Sequence, residues 1–348
     1  MSAPEREATR VNSFAQDVLL PLVHGTNLER AEARTALSEI LEGRVDGLLI
    51  ASFLTAVTAK GETADEMTGF IDAMMDTAAT FTIGPGAIDL VGTGGDRLES
   101  VNVSTMAALA VAGCGVAVAK HGNRAASSSV GSADVLEALG VRLDAPESVV
   151  RACIEDAGIG FLYAPVFHHA LGQLAPIRRA LGFRTVFNIL GPMANPARVE
   201  RTLIGVAQPR LLDNMAHVVQ ARGLRYAILV NADDGLDELS LGDYSTLHII
   251  TPDERSVERV DAGAVLGRRH TPAALRGGDA QHNARVVRSF LQGQPGPVFD
   301  VACANAALAL RVAGRSDSLV DGFAQASASV LQGRAARALE RLIDVSNA

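Results

Sequence analysis

The 348 residues are 48% hydrophobic and 20% charged, enough apolar material for two domains of ordinary size and too much for a disordered chain. Lys+Arg 31 against Asp+Glu 39 leaves a formal net charge of -8, which repels a phosphate backbone, so no nucleic-acid partner is expected. The 3 cysteines, Cys114, Cys153 and Cys303, form no Cys-x-x-Cys pair and are too few to staple a chain this size, which fits a reducing, cytoplasmic setting.

Met1 to Asn12 carries Glu5, Arg6, Glu7 and Arg10 with no apolar stretch behind them, so no secretory signal is expected. From Asn12 to Thr80 the pattern is helical: Val18, Leu19, Leu22 and Val23, then Ala33, Leu37, Ile40 and Leu41, recur at spacings of three and four. Leu48, Leu49, Phe53, Leu54 and Val57 continue it, and Thr63-Ala64-Asp65-Glu66 has the spacing of a capping box. Gly84-Pro85-Gly86 then breaks the helical texture, and an α/β domain is expected to begin.

That domain reads as a strand near Ala87 to Val91, a helix Thr105 to Ala112, a strand Gly115 to Ala119 and a helix Ala133 to Leu139. Further strands are expected near Thr202 to Val206 and Tyr226 to Val230. Val101 to Ala119 lacks charge, but its Asn102, Ser104, Thr105, Gly113 and Gly115 favour a buried helix and strand over a membrane span, so no membrane partner is expected. Alternation of this kind predicts an α/β fold with a mostly parallel central sheet. Residues 166–196 interrupt it with a helical pattern that is expected to return to the helical block. The expected domains are therefore 1–80 with 166–196, and 81–165 with 197–348.

Gly92-Thr93-Gly94-Gly95-Asp96 follows a predicted strand, and Asn102-Val103-Ser104-Thr105 opens the next helix. Glycines let backbone N–H groups approach phosphate oxygens, and a helix N-terminus adds donors and a positive dipole end, so an anion site is one reading and a structural turn the other. The dinucleotide fingerprint fails at Arg97, and no P-loop lysine follows. Lys120-His121-Gly122-Asn123-Arg124 leaves the next strand, with Ser127, Ser128, Ser129 and Ser132 beyond it. This reads as a second anion loop, or as a solvated loop in which Ser132 caps a helix. Asp233, Asp234, Asp237 and Glu238 offer hard oxygen donors suited to Mg²⁺, while nothing there suits zinc. Arg178 could grip an acidic acceptor, whereas His168 and His169 are adjacent and cannot share a helix face as metal ligands do.

With these motifs in hand, the chain resembles the anthranilate phosphoribosyltransferase family of tryptophan biosynthesis, related to pyrimidine nucleoside phosphorylases. The resemblance runs from Ala31-Glu32-Ala33-Arg34 and Lys60-Gly61-Glu62-Thr63 to Asn305-Ala306-Ala307. Its strongest parts are Gly92 to Asp96, Asn102 to Thr105 and Lys120 to Arg124. Gly131 to Gly140, Arg184-Thr185-Val186-Phe187-Asn188, Gly191-Pro192 and Asp237-Glu238 add to it. It implies a small helical domain beside a large α/β domain, and transfer of phosphoribosyl from phosphoribosyl pyrophosphate (PRPP) to the amine of anthranilate.

By that resemblance Gly92, Thr93, Gly94, Gly95, Asp96, Asn102, Ser104, Thr105, Lys120 and Ser132 would hold PRPP. Gly92, His121, Asn123 and Arg178 would contact anthranilate, and Ser104, Asp237 and Glu238 would bind two Mg²⁺ ions. No acid or base is implied, since an unprotonated arylamine needs positioning more than activation. A homodimer through the helical domain is also implied. The chain departs from the family pattern at Val130 (usually Ser or Cys), His169 (usually Pro) and Asp243-Tyr244-Ser245 (commonly Gly-Pro-Thr). None is a phosphate or metal residue, though His169 lies in the segment that shapes the acceptor channel. A different aromatic acceptor or a nucleoside phosphorylase are the neighbouring enzyme readings, with a nucleic-acid-binding relative as the non-enzyme one. Asp96 with Asp237-Glu238 favours a metal-bound pyrophosphate donor.

Overall fold

Three helices take up the N-terminal periodicity: α1 (Arg30–Leu41), α2 (Gly47–Lys60) and α3 (Ala64–Thr77). They belong to a computed structural model that describes residues 13–95, 98–125 and 130–348. Asp46 caps α2 by accepting from the Leu48 N–H at 2.8 Å, and Thr63 with Glu66 forms the expected capping box on α3. α1 and α3 meet at Gly69, where a Cβ would lie 2.3 Å from the Arg30 carbonyl oxygen. The described residues up to Thr80, together with 167–194, make one compact unit, and 81–166 with 195–348 make a second.

The second unit alternates strands and helices in chain order: β1 (Ile88–Gly92), α4 (Val103–Gly113), β2 (Val118–Gly122), α5 (Ser132–Leu139), α6 (Glu147–Ala157) and β3 (Ile159–Tyr163). The helical unit takes α7 (Ala175–Leu181), after which come β4 (Arg201–Gly205), α8 (Leu212–Ala221), β5 (Tyr226–Ala232), β6 (Ser245–Ile250) and β7 (Arg255–Val260). Helices α9 (Ala280–Leu291), α10 (Pro297–Val312), α11 (Leu319–Leu331) and α12 (Arg334–Ser346) close the chain. The sheet order is β3-β2-β1-β4-β5-β6-β7, parallel from β3 through β5 and antiparallel across β6 and β7. α4 and α10 are buried along almost their whole length, as a helix under a sheet must be when its residues are Ala, Val, Leu and Met. Among the described residues no helix is long and apolar enough to cross a membrane.

The fold class is the one the alternation predicts, but α6 and β3 were not foreseen and other details need correction. Strand β2 begins at Val118 rather than Gly115, because Gly115 sits at φ 79 in the turn that ends α4. Lys120 and His121 are therefore strand residues, 2% and 4% exposed, and do not leave the strand as the sequence suggested. The β6–β7 hairpin was not foreseen. β7 is an edge strand of sequence Arg-Ser-Val-Glu-Arg-Val, exposed at all but its last residue, and carries no apolar run to mark it.

A parallel sheet whose chain order runs outward in both directions has a switch point, and here it lies between β1 and β4. From β1 the chain goes to β2 and β3 on one side, and from β4 to β5 on the other. The two strands pair over five residues, ending at Gly92 opposite Gly205.

In the helical unit a buried ion pair ties α2 to α3. Lys60 Nζ donates to Glu66 Oε2 at 2.9 Å, to Asn27 Oδ1 and to Gly61 O. Glu66 also accepts the Leu28 and Thr63 N–H groups, with side-chain exposures of 7% and 0% for the pair. Glu66→Ala strands the ammonium and two backbone donors, so urea titration should register a loss of about 3–5 kcal/mol.

Candidate functional site

The C-terminal ends of β1, β2, β4 and β5 share one edge of the sheet, because these strands run parallel. At the switch point the segment after β5 folds over the ends of β1 and β4. A Cβ on Gly205 would lie 1.7 Å from the Asp237 carbonyl oxygen, and one on Gly92 would lie 2.7 Å from Asp237 Oδ2. At Gly205 a side chain would collide with the Asp237 backbone, and at Gly92 it would displace the Asp237 carboxylate from its present position. The Gly94 N–H donates to Asp237 Oδ2 at 2.9 Å, with Gly94 at φ 60 and Gly95 at φ 83, a backbone state that glycine adopts readily. This amide, expected to face phosphate, is directed at the carboxylate instead. Thr93 pins the loop to β4, its N–H donating to Gly205 O at 2.8 Å and its Oγ1 accepting from the Ala207 N–H at 3.0 Å.

Lys120 lies under the first turn of α4. Its Nζ donates to Leu90 O at 2.6 Å and to Ser104 Oγ at 3.2 Å. Burial pushes its ammonium down to about 8, with the charges of Asp89 and Glu238 acting the other way. Asp89 is fully buried in β1 and is pushed up to about 6 by that burial, against the pull of Lys120, Asn195 and the His121 N–H. Asn195 Nδ2 donates to Asp89 Oδ2 at 2.7 Å and to Ala119 O, and the His121 N–H donates to Asp89 Oδ1 at 3.1 Å. Asn102 occupies the N-cap position of α4, but its side chain makes no cap bond, donating instead to Val130 O and accepting from Asn283 Nδ2 at 3.0 Å. The buried Thr105 Oγ1 has no hydrogen-bond partner among the described residues.

Several other candidates have structural duties. Arg124 pairs with Asp134 and Glu137 and so is not a spare cation for the second loop. Asn123 is exposed and accepts the Arg124 N–H. Ser132 is the first residue of α5 with Gly131 as its N-cap, and a Cβ on Gly122 would lie 2.3 Å from Ser132 Oγ. In the acidic turn Asp233 pairs with Arg259, and Asp234 accepts from Ser240 Oγ and the Leu236 N–H. Asp237, 7% exposed, and Glu238 follow beside the switch point. Asp96 and Ser127, Ser128 and Ser129 lie outside the described residues. Val130 packs into the α/β core, His168 is buried with its Nε2 at 2.9 Å from Ala194 O, and His169 and Tyr244 are exposed. The buried Ser245 Oγ accepts the Ser240 N–H.

Arg178 belongs to α7 of the helical unit. Its guanidinium lies 5.5 Å from the centre of the Phe187 ring, is lowered by burial, and forms no ion pair with a carboxylate among the described residues. A desolvated, unneutralised guanidinium is suited to a carboxylate ligand.

Sequence reasoning passed over Asp89, Asn195, Asn283 and Asn305. A signal existed for two of them: Asp89 interrupts an apolar strand, and Asn305 sits in an alanine-rich helix, and a polar group buried in such a place must be hydrogen-bonded. Asn305 answers that demand by clasping Leu239, accepting its N–H at 2.8 Å and donating to its carbonyl at 3.0 Å.

Ser104, Asp237, Glu238 and Gly92 line one cavity of about 20 Å³, room for a single water or small ion. The donors are two carboxylates and a hydroxyl, all hard oxygens, in a space that a side chain at position 92 would fill. That set fits Mg²⁺. Among the described residues no group of three or more His, Cys, Asp or Glu is placed to hold a metal.

Comparison with known proteins gives a consistent relationship. The model of the glycosyl transferase family a/b domain matches residues 84–336, and that of the glycosyl transferase family helical bundle domain matches 16–78. An anthranilate phosphoribosyltransferase of Thermomicrobium roseum is 44% identical over 346 residues, covering 95% of this chain and 97% of that one. The crystal structure of anthranilate phosphoribosyltransferase from Thermus thermophilus superposes with a TM-score of 0.88 at 38% identity, over 96% of this chain and 100% of that one. The Saccharomyces cerevisiae enzyme in complex with PRPP and Mg gives a TM-score of 0.86 at 25% identity, over 96% and 99% of the two chains. With both domain models matched and relatives similar along nearly their whole length, the chain belongs to the anthranilate phosphoribosyltransferase family of glycosyl transferases.

Proposed function

We propose that this protein transfers the phosphoribosyl group of PRPP to the amine of anthranilate and releases pyrophosphate, a step of tryptophan biosynthesis, with Mg²⁺ required. The observation that carries this reading is the approach of Asp237 to Gly92, Gly94 and Gly205, which brings carboxylate donors to a glycine loop at the sheet's switch point. Relatives agree in kind: one solved yeast enzyme is in complex with PRPP and Mg, and another with 4-fluoroanthranilate. We further propose two Mg²⁺ ions, a cytoplasmic location and a homodimer through the helical unit.

Asp237 and Glu238, with Ser104, would hold the metal, which when bound neutralises charge on the departing pyrophosphate. The loop from Gly92 to Asp96 and the start of α4, through Asn102, Ser104 and Thr105, would cradle the phosphates with backbone donors. Thr93 would keep that loop on β4. Lys120 sits where its ammonium reaches Ser104 Oγ and could turn from Leu90 O to a phosphate oxygen. Ser132 would close the donor site from α5. His121 and Asn123, on the neighbouring strand end, would contact the acceptor together with Gly92, and Arg178 would hold its carboxylate through two parallel hydrogen bonds. A helix N-terminus offers about 0.3–1 kcal/mol toward a developing anion, whereas a metal offers several, so the acidic pair should dominate leaving-group stabilisation.

Three outcomes are expected. Asp237→Asn combined with Glu238→Gln should lower Mg²⁺-dependent turnover at least about a hundredfold, about 3 kcal/mol, with an unchanged circular dichroism spectrum. Fluorescence loss from anthranilate is the assay, and undiminished turnover would remove the metal assignment. Arg178→Ala should raise the KM for anthranilate about ten- to hundredfold and leave that for PRPP within about twofold, as expected for loss of hydrogen bonds to a charged group. Equal rises for both substrates would count against its role.

The pH dependence follows from Lys120. Its folded value lies near 8, below the ordinary lysine value of 10.5, so it is charged below about pH 8 and neutral above. PRPP affinity measured by calorimetry should fall by no more than about twofold between pH 7 and 8 and then weaken by up to about tenfold per unit. Lys120→Met should abolish that slope; a slope that persists in the variant belongs to another group.

A further inference from the structure

Resting on the metal reading above, we infer that Asn305 is a positioning residue that sets Mg²⁺ affinity by holding the backbone beside Asp237 and Glu238. Asn305 lies in the middle of α10, 2% exposed, among Val301, Ala302, Ala304 and Ala306, where an amide without partners would be costly. Its side chain makes a two-pronged contact with the residue directly after Glu238: Oδ1 accepts the Leu239 N–H at 2.8 Å and Nδ2 donates to Leu239 O at 3.0 Å. A third bond, from Nδ2 to Val301 O at 2.9 Å, fixes the amide against its own helix and settles which end is oxygen. The clasp therefore ties a turn to a rigid, buried helix.

Other bonds also hold the turn, among them the Asp233–Arg259 pair to β7 and a bond from Arg269 to Gly242 O. Ser240 Oγ donates to Asp234 Oδ2 and accepts the Gly242 N–H, Ser245 Oγ accepts the Ser240 N–H, and the Ala232 N–H donates to Leu236 O. Leu236, Leu239 and Leu241 are buried in the α/β core and seat the turn as a whole, so the clasp bears on the local backbone beside Glu238. That backbone is closely fitted, because the Asp237 carbonyl sits against Gly205 with no room for a methyl group, and Asp237 Oδ2 sits against Gly92. Asn305 supplies the anchor on the α10 side, and the Gly94 N–H to Asp237 Oδ2 bond supplies one on the β1 side. Asn305 touches neither reacting group and would act only by aiming the carboxylates.

Loss of a group that orients metal ligands lowers metal affinity by about ten- to hundredfold. Asn305→Leu, with the same branched heavy-atom skeleton, removes the clasp and retains both carboxylate side chains. Mg²⁺ half-saturation, read by calorimetry in the presence of PRPP, should rise about ten- to hundredfold, while kcat at saturating Mg²⁺ falls by much less. The Leu239 amide should also exchange with deuterium faster than in the wild type. A folded variant with wild-type half-saturation would overturn the inference. Should the variant fail to fold, the wild-type protein still decides: Leu239 must exchange as slowly as the amides of α10, and exchange at the rate of an open turn would sink the idea. Asp237→Asn separates the two levels of argument. If it leaves half-saturation unchanged, the metal reading itself fails; if it shifts half-saturation and Asn305→Leu does not, only the role of Asn305 fails.

Discussion

The close approach of Asp237 to two glycines is the constraint on which the rest of this site depends. Gly92 and Gly205 end adjacent parallel strands; a methyl group on Gly205 would drive the acidic turn away from the sheet, and one on Gly92 would displace the Asp237 carboxylate. The steric vacancy makes the electrostatics possible: a carboxylate can sit against the end of a strand only where no side chain occupies that space, and there it meets the Gly94 amide. The glycines of this loop thus have two separate uses. Gly94 and Gly95 adopt a left-handed backbone, while Gly92 and Gly205 provide room.

Around that contact the α/β unit spends several buried polar groups. Asp89, Lys120, Asn195 and the His121 amide are linked inside the sheet, and Lys120 reaches Leu90 O across a strand pair that is matched only at Ile88 and Val118. Side-chain bonds there do what ladder bonds do elsewhere in the sheet. The arrangement leaves a lysine with a pKa near 8, ready to gain from a nearby anion, at the place where the strands part. Groups of this kind are expensive to bury, and their concentration at one edge of one sheet is itself a functional signal.

Much of the fold could be read along the chain because its signals are local. The helical block announced itself by three- and four-residue spacing, the Thr63–Glu66 box by its own spacing, and the parallel sheet by apolar runs alternating with helices. The β6–β7 hairpin escaped because an exposed edge strand needs no apolar stripe. Strand β2 was placed three residues early for a related reason: Lys120 and His121 look like loop residues until their polar atoms are seen to be bonded across the sheet. In the site, the glycine loop, the serine and threonine of α4 and the acidic turn stood out by composition. Asn195 did not, since an isolated amide in a loop carries no pattern, while the signal of Asn305, an amide in an alanine-rich helix, does not say what it holds.

The sequence by itself determined the fold class, the two kinds of domain and the chemical types present: glycines where backbone must meet an anion, and carboxylates where a hard cation could bind. These are consequences of neighbours along the chain, of periodicity and of side-chain chemistry. Which acidic residue of the turn meets the glycine loop was decided only in three dimensions, where Arg259 and Ser240 engage Asp233 and Asp234 while Asp237 is carried to Gly92. The residues concerned are up to 145 positions apart, as Gly92 and Asp237 are. Such distances are fixed by the strand order of the sheet, and strand order is a property of packing that no local stretch of sequence contains.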